Sequence, residues 1–181
     1  MIWNKSAAPH AGSNNRPRRA YEYILWYSKT KKPFEDRKAC GNLTDRSGME
    51  DNPHGNFAGT SLRKDGRAEI TDVFTFAASA VDQNIPHPAI FPPELIRQLI
   101  RTFAPPGSVI LDMFAGAGTV GLVAQSEDYD FILCDIEQEY VDLMNRRLVT
   151  EAKYFRGEAK RKREIEEQEQ REAEQKRKFP V

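Results

Sequence analysis

The chain has 181 residues, of which 39% are hydrophobic and 30% charged, with 27 basic and 27 acidic side chains. This length accommodates one modest domain with a single core. No apolar run approaches the ~20 residues that a membrane-spanning helix needs, and the first residues lack the apolar stretch of a secretory signal. Cys40 and Cys134 lie far apart and show no metal-ligand spacing. We therefore expect a reducing, cytoplasmic location.

Charge is unevenly distributed, because residues 1–38 carry nine Lys and Arg against three Asp and Glu. A locally basic segment can contact phosphates even in a neutral chain. An ordinary solvated surface explains the same pattern equally well, so charge alone leaves both interpretations open.

The first third of the chain contains two predicted strands and a long polar region. Ile2 and Trp3 indicate a short strand, and the aromatic run 21–28 (YEYILWYS) indicates a buried one. The two could pair antiparallel across a basic loop. Residues 31–85 are polar and rich in glycine, which is typical of either a functional loop or disorder.

Residues 86–149 have the pattern of an α/β core. Pro92 and Pro93 precede an amphipathic pattern formed by Leu95, Ile96, Leu99 and Ile100, which predicts a helix. Further predicted elements are a strand at 108–112, a helix at 119–125, a strand at 131–134 and a helix at 137–148. This alternation predicts a parallel sheet.

The last segment, 151–178, consists mainly of Glu, Lys, Arg and Gln. It lacks the apolar positions of a coiled coil, and we expect a solvated helix. The basic run 160–163 (KRKR) leaves nucleic-acid contact open as the less favoured interpretation.

A glycine-rich turn follows the strand that ends at Asp112. Residues 111–119 read LDMFAGAGT, and the glycines at 116 and 118 allow the backbone to approach a ligand closely. Free N–H groups at the start of the next helix can hold an anionic group of that ligand. Asp135 ends the following strand, where a carboxylate suits the hydroxyls of a ribose.

Two ligands fit this turn. Residues 116–121 match the G-x-G-x-x-G pattern of nicotinamide-binding domains. However, Asp112 would place negative charge near a pyrophosphate, and only one further strand–helix unit follows the turn. Asp112 suits a ligand with an ammonium group, such as S-adenosylmethionine, which is the favoured interpretation. Glycines with a purely structural role are a third, remote one.

Two ordered motifs carry a resemblance to a known family. Residues 87–92 (HPAIFP) precede the predicted helix, and residues 112–119 (DMFAGAGT) follow it. In this order, the motifs resemble those of the permuted DNA amino-methyltransferases, which modify adenine N6 or cytosine N4. The family usually has proline where Met113 stands. Residues 134–140 (CDIEQEY) resemble a third motif in their spacing, and the resemblance spans residues 1–149.

The resemblance implies a partial Rossmann-like fold of the S-adenosylmethionine-dependent methyltransferases, with a parallel sheet core and a charged C-terminal helix. It divides the chain into an incomplete methyltransferase domain at 1–149, in which 31–85 would recognise the DNA target, and a helical tail at 150–181. His87 would be packed or at the surface rather than catalytic. The implied cofactor residues are Phe91, Pro92, Asp112, Phe114, Gly116, Gly118, Thr119 and Asp135. The implied contacts to double-stranded DNA are Arg16, Arg18, Arg19, Lys31 and Lys32.

The catalytic loop of that family is not present in these residues. The family uses Asp, Asn or Ser, then Pro-Pro, then an aromatic residue, to hold the flipped base. The two Pro-Pro pairs, at 92–93 and 105–106, have neither the polar residue before nor the aromatic after. We therefore expect a split or truncated enzyme completed by a second polypeptide or by self-association, since an apolar central strand would otherwise lack a neighbour. A non-catalytic module that binds S-adenosylmethionine or DNA is the alternative.

Overall fold

The computed structural model describes residues 1–5, 20–29, 35–36, 70–77, 85–87 and 89–178. From residue 93 to residue 150, helices and strands alternate as predicted. In chain order the elements are β1 (Ile2–Asn4), β2 (Tyr21–Tyr23), β3 (Val73–Thr75), α1 (Pro93–Phe103), β4 (Val109–Asp112), α2 (Thr119–Ser126), β5 (Asp130–Leu133), α3 (Gln138–Thr150) and α4 (Ala152–Lys178).

The strands form two sheets. In the first, with the order β2-β1-β3, β1 pairs antiparallel with β2 and parallel with β3. In the second, β4 and β5 run parallel, in register from Val109 opposite Asp130 to Asp112 opposite Leu133. The predicted antiparallel pair and the predicted parallel pair are both confirmed.

Helix α1 packs against the cores of both sheets. On one side Leu95 joins Trp3 and Phe74 of the three-stranded sheet in a buried cluster. One residue further along the chain, Ile96 belongs to a second cluster, whose other buried members are Ile100, Leu122, Val123, Ala124 and Phe155. The apolar residues of α1, spaced i, i+3, i+4, therefore pack into two hydrophobic clusters rather than one.

The prediction of a buried strand over residues 21–28 is wrong in its extent and in its burial. The strand ends at Tyr23, and the side chains of Tyr23, Leu25 and Tyr27 are 70%, 74% and 85% exposed. Tyr21 and Tyr23 lie opposite Asn4 and Ile2. Successive strand residues point to opposite faces. Both tyrosines therefore lie on the sheet face opposite to Trp3, which packs against α1.

Strand β3 lies in the region that the sequence indicated as irregular. It has three residues, and only its central Phe74 is buried. Its hydrogen bonds go to β1, more than sixty residues earlier, so the strand depends on a long-range pairing.

Helix α4 was expected to be solvated, which is wrong for its first half. Phe155 and Ala159 are buried in the protein core. Further along the same face, Lys162 pairs with Glu94, and Glu166 pairs with Arg101. The spacing 155, 159, 162, 166 follows the helical period, and the ion pairs satisfy charges that would otherwise oppose burial. Among the described helices, none has the length and apolar character needed to cross a membrane.

Candidate functional site

The turn between β4 and α2 is built on two glycines with left-handed backbone. Gly116 has φ +49° and Gly118 has φ +76°, a region in which side chains with a Cβ are strained. The Gly118 N–H donates to the Ala115 carbonyl at 2.7 Å. A Cβ atom at Gly118 would lie 2.6 Å from the Met144 Cβ, so glycine also permits the close approach of α3.

Two carboxylates flank this turn, at the carboxyl ends of the adjacent parallel strands. Asp112 Oδ1 accepts the Phe114 N–H at 3.0 Å. Asp135 Oδ2 accepts the Gly116 N–H at 2.7 Å, and its Oδ1 accepts the Glu137 N–H at 3.0 Å. The predicted strand-end acids therefore lie on the same edge of the sheet, with the glycine turn between them.

The Asp135 carboxylate is held in its charged form. Hydrogen bonds from the Glu137 and Gly116 backbone keep the pKa of Asp135 below its ordinary value. The Ile136 backbone contributes in the same direction. A carboxylate has about four lone-pair positions, so these bonds use only part of that capacity. Asp135 therefore retains acceptor positions for hydroxyl groups of a ligand.

His87 packs over the turn. Its ring lies 4.5 Å from that of Tyr140, and a Cβ atom at Gly116 would come within 2.6 Å of His87 Nε2. Its Nδ1 accepts the Ala89 N–H at 3.2 Å. His87 is thus a half-buried, packed histidine, one of the two positions that we expected for it.

The other predicted cofactor residues lie around the head of α1 and of α2. Phe91 is half exposed, with its ring 6.0 Å from that of Trp3, and Pro92 is buried just before α1. Phe114 is 86% exposed. Thr119 is buried at the start of α2. The structure thus brings Asp112, the two glycines, Thr119 and Asp135 together around one turn. Phe91 instead contacts Trp3 of the three-stranded sheet, and Pro92 directly precedes α1.

Arg147, a buried residue of α3, contacts this turn and was not predicted from the sequence. Its Nη1 donates to the Ala117 carbonyl, and its Nε and Nη2 bind the Glu151 carboxylate at 2.8 and 3.0 Å. The available signal was its position three residues after Met144, on the face of α3 that also carries Leu143. An arginine on an apolar helix face needs a buried partner.

A family model described as DNA methylase matches residues 1–146. The chain belongs to this DNA methylase family. Among curated relatives, the type II methyltransferase M.XycI of Xanthomonas campestris pv. cyanopsidis is 33% identical over 82% of this chain and 43% of its own length. The type II methyltransferase M.Cfr9I of Citrobacter freundii is 32% identical over 82% of this chain and 43% of its own.

A solved structure shares the fold. The cytosine-N4-specific PvuII DNA methyltransferase superposes with a TM-score of 0.58 at 22% identity, covering 81% of this chain and 49% of that one. The predicted methyltransferase fold and the predicted family are therefore confirmed. The chain spans less than half the length of these relatives, and all of α4 lies beyond the residues that the family model matches.

The predicted DNA contacts Arg16, Arg18, Arg19, Lys31 and Lys32 lie outside the described residues, as does most of the predicted target-recognition region at 31–85. The roles of the predicted cofactor residues and the boundary between domain and tail at residue 149 stay predictions.

Proposed function

We propose that this chain binds S-adenosylmethionine and forms part of an enzyme that methylates an exocyclic amine of adenine or cytosine in DNA. One observation carries the proposal: Asp112 and Asp135 lie at the ends of adjacent parallel strands, on either side of a glycine turn that opens a helix. The cofactor would supply a methyl group activated on a sulfonium sulfur. Membership of the DNA methylase family supports the same assignment.

The donor set of the turn fits this cofactor. Asp135 has free acceptor capacity for the two ribose hydroxyls, and Asp112 offers negative charge to the ammonium of the methionine end. Gly116 and Gly118 allow the backbone to approach, and Thr119 opens the helix whose N–H groups suit a carboxylate. Phe91, Pro92 and Phe114 would border the adenine end with apolar surface.

Catalysis needs a group from outside these 181 residues. An exocyclic amine is a weak nucleophile because its lone pair is delocalised into the base. A polar residue beside Pro-Pro would accept hydrogen bonds from that amine, and an aromatic ring would stack on the flipped base. Neither Pro-Pro pair of this chain has those neighbours. We therefore assign the catalytic loop to a complementary polypeptide segment.

The β4–β5 sheet offers a place for that segment. One edge of β4 pairs with β5, and no strand among the described residues pairs with its other edge. Val109, Leu111 and Ile132 share the sheet face opposite α2 and are 55–57% exposed. Parallel sheets are usually covered on both faces. A complementary segment that adds a strand beside β4 and helices on this face would cover the apolar side chains and place its catalytic loop beside the glycine turn.

DNA contact is assigned to the basic N-terminal part. Arg16, Arg18, Arg19, Lys31 and Lys32 would bind backbone phosphates, which fix position without reading sequence. Residues 31–85 would recognise the target bases.

The test measures binding and catalysis separately. S-adenosylmethionine binding to the purified chain is measured by calorimetry, with NAD as the competing ligand. Methyl transfer to duplex DNA is then measured with and without the catalytic-loop portion of a relative such as M.XycI, added as a separate polypeptide. We expect S-adenosylmethionine binding by the chain alone and methylation only in the mixture.

Each outcome discriminates between proposals. Absence of S-adenosylmethionine binding contradicts the cofactor assignment, and preferential NAD binding replaces it with the nicotinamide interpretation. Robust methylation by the chain alone contradicts the assignment of the catalytic loop to another segment. Cofactor binding without methylation in the mixture favours the alternative, a non-catalytic binding module.

A further inference from the structure

The glycine turn is contacted by a buried arginine, whose carboxylate partner Glu151 is partly exposed. Arg147 is 6% exposed, and its Nη1 binds the Ala117 carbonyl and lies 3.5 Å from Thr119 Oγ1. The remaining part of its guanidinium forms a two-point contact with Glu151, one helical turn later. A planar guanidinium held at three of its donors has a fixed orientation.

This contact acts on the most adaptable part of the turn. Ala117 stands between two glycines, whose backbone angles are the least restricted of any residue. Partners must therefore determine the orientation of the peptide groups. On one side the Asp135 carboxylate holds the Gly116 N–H, and on the other Arg147 holds the Ala117 carbonyl. Both partners belong to the β5–α3 unit.

The position of the Arg147 guanidinium near the start of α2 is electrostatically unfavourable by itself. The N-terminus of α2 has partial positive charge, which disfavours a neighbouring guanidinium. Glu151 offsets that charge through its two-point contact. An aliphatic side chain would fill the same space without this arrangement, but it would leave the Ala117 carbonyl without its arginine donor.

We propose that Arg147 is a positioning residue for the cofactor site. By binding the Ala117 carbonyl, it sets the direction of the Ala117–Gly118 peptide, and so the first turn of α2, toward the amino-acid end of the ligand. Glu151 keeps the guanidinium in place. The ligand half of this inference rests on the proposed function, whereas the conformational half depends on the structure alone.

The ligand experiment compares two nucleosides. S-adenosylhomocysteine carries the amino-acid end, and 5′-methylthioadenosine lacks it. Arg147→Met should weaken binding of S-adenosylhomocysteine by about tenfold or more, since a buried carbonyl loses its donor. The affinity for 5′-methylthioadenosine should change by less than about twofold, because this nucleoside lacks the group that the first turn of α2 would bind and the substitution is then remote from its contacts. Arg147→Lys should restore part of the loss. Arg146→Met is the control, because Arg146 is the exposed neighbour on the same helix.

Amide hydrogen exchange supplies a measurement that does not depend on any ligand. The Gly118 N–H is bonded to the Ala115 carbonyl, and we expect it to exchange faster in Arg147→Met and Arg147→Lys, with the amides of β5 unchanged. If the parent protein binds neither nucleoside, the proposed function fails and exchange at Gly118 alone decides this inference. Equal losses for both nucleosides, or unchanged exchange at Gly118, would overturn it. If Arg147→Met does not fold, the same two criteria apply to Arg147→Lys.

Discussion

At the scale of single residues, Asp135 links the acid stability of the protein to its candidate site. Its pKa is lowered by the Glu137 and Gly116 backbone hydrogen bonds. An acid with a lowered pKa stabilises the fold above its unfolded value, and this contribution is lost as the pH falls through the folded value. Asp135→Asn should therefore lower the free energy of unfolding at neutral pH. The deficit should shrink as the pH falls below 3.8, the ordinary value for this group.

Urea unfolding of the parent and the variant at several pH values measures the difference between their free energies of unfolding. The other acids are the same in both proteins, so their contributions cancel in this difference. Asp130→Asn is the matched control, because Asp130 is exposed at the start of β5, the strand that precedes Asp135. A deficit for Asp135→Asn that stays constant down to the acid limit would contradict the assigned hydrogen bonds.

Gly118 is expected to tolerate no side chain. Gly118→Ala places a Cβ in left-handed backbone and within 2.6 Å of the Met144 Cβ, so we expect a loss of about 2–4 kcal/mol in unfolding free energy. Gly157→Ala is the control, since open space surrounds Gly157 within α4. This second variant should gain up to about 1 kcal/mol from helix propensity. Thermal or urea unfolding measures both, and a neutral Gly118→Ala would show that the turn adopts another conformation.

The sequence predicts the positions of residues such as Gly118 and Asp135, because these positions follow from local order: strand, acid, glycine turn, helix. Arg147 could not be identified in this way. Its partner Ala117 is thirty residues earlier, and the bond exists only because the docking of α3 brings the two together. An arginine at that position in an isolated helix would be indistinguishable from the exposed Arg146.

At the scale of elements, the first half of α4 packs against the rest of the described structure. Although burial disfavours its charge, Lys162 and Arg97 hold the pKa of Glu94 below its ordinary value. Glu127, 6% exposed, bridges Arg97 and Arg101 of α1, and Arg101 in turn pairs with Glu166 of α4. These pairs extend the apolar contact of Phe155, so a helix with few apolar residues is held in place along its first half.

Phe155→Ala tests that docking. Phe155 is 5% exposed and packs in the cluster with Ile96, Ile100 and Leu122, so we expect a loss of roughly 3–5 kcal/mol in unfolding free energy. Tyr154→Ala removes an adjacent aromatic side chain that is 69% exposed and should change stability by less than about 0.5 kcal/mol. Equal effects of the two variants, measured by urea unfolding, would show that α4 does not pack on the core.

Elements with a signal in a short window were predicted, whereas β3, whose order depends on a distant partner, was not. The apolar spacing of α1 and the strand–turn–helix pattern around β4 are visible in short windows. Strand β3 has no such signal, because a three-residue strand gains its order from pairing with β1. The aromatic run at 21–28 was misjudged for a related reason, since burial of a strand depends on which sheet face a helix covers.

At the scale of the whole molecule, helices pack on one face of each described sheet. Leu95 of α1 packs on the three-stranded sheet, and Leu122 of α2 belongs to the cluster against which Ile110 and Phe131 of the β4–β5 sheet pack. On the opposite faces, Tyr23 of the first sheet and Leu111 and Ile132 of the second remain exposed. Relatives are more than twice as long as the portion that this chain matches. Both facts support our proposal that a complementary segment covers the β4–β5 face.

The exposed β4–β5 face should govern association. Leu111 and Ile132 lie directly opposite each other on that face, and an exposed apolar sheet face with a free edge promotes association. The double variant Leu111→Lys, Ile132→Lys should therefore sediment as a monomer where the parent chain self-associates, and it should no longer combine with the complementary portion of a relative. Val149→Lys, on α3 and 80% exposed, is the control and should behave as the parent does.

Sedimentation velocity measures all three proteins. A parent that is monomeric and fails to combine, or a double variant that combines as well as the parent, would show that this face is not the docking surface. The double variant tests the docking surface and not the fold, because lysines at two exposed positions leave the core intact while they make burial of this sheet face unfavourable.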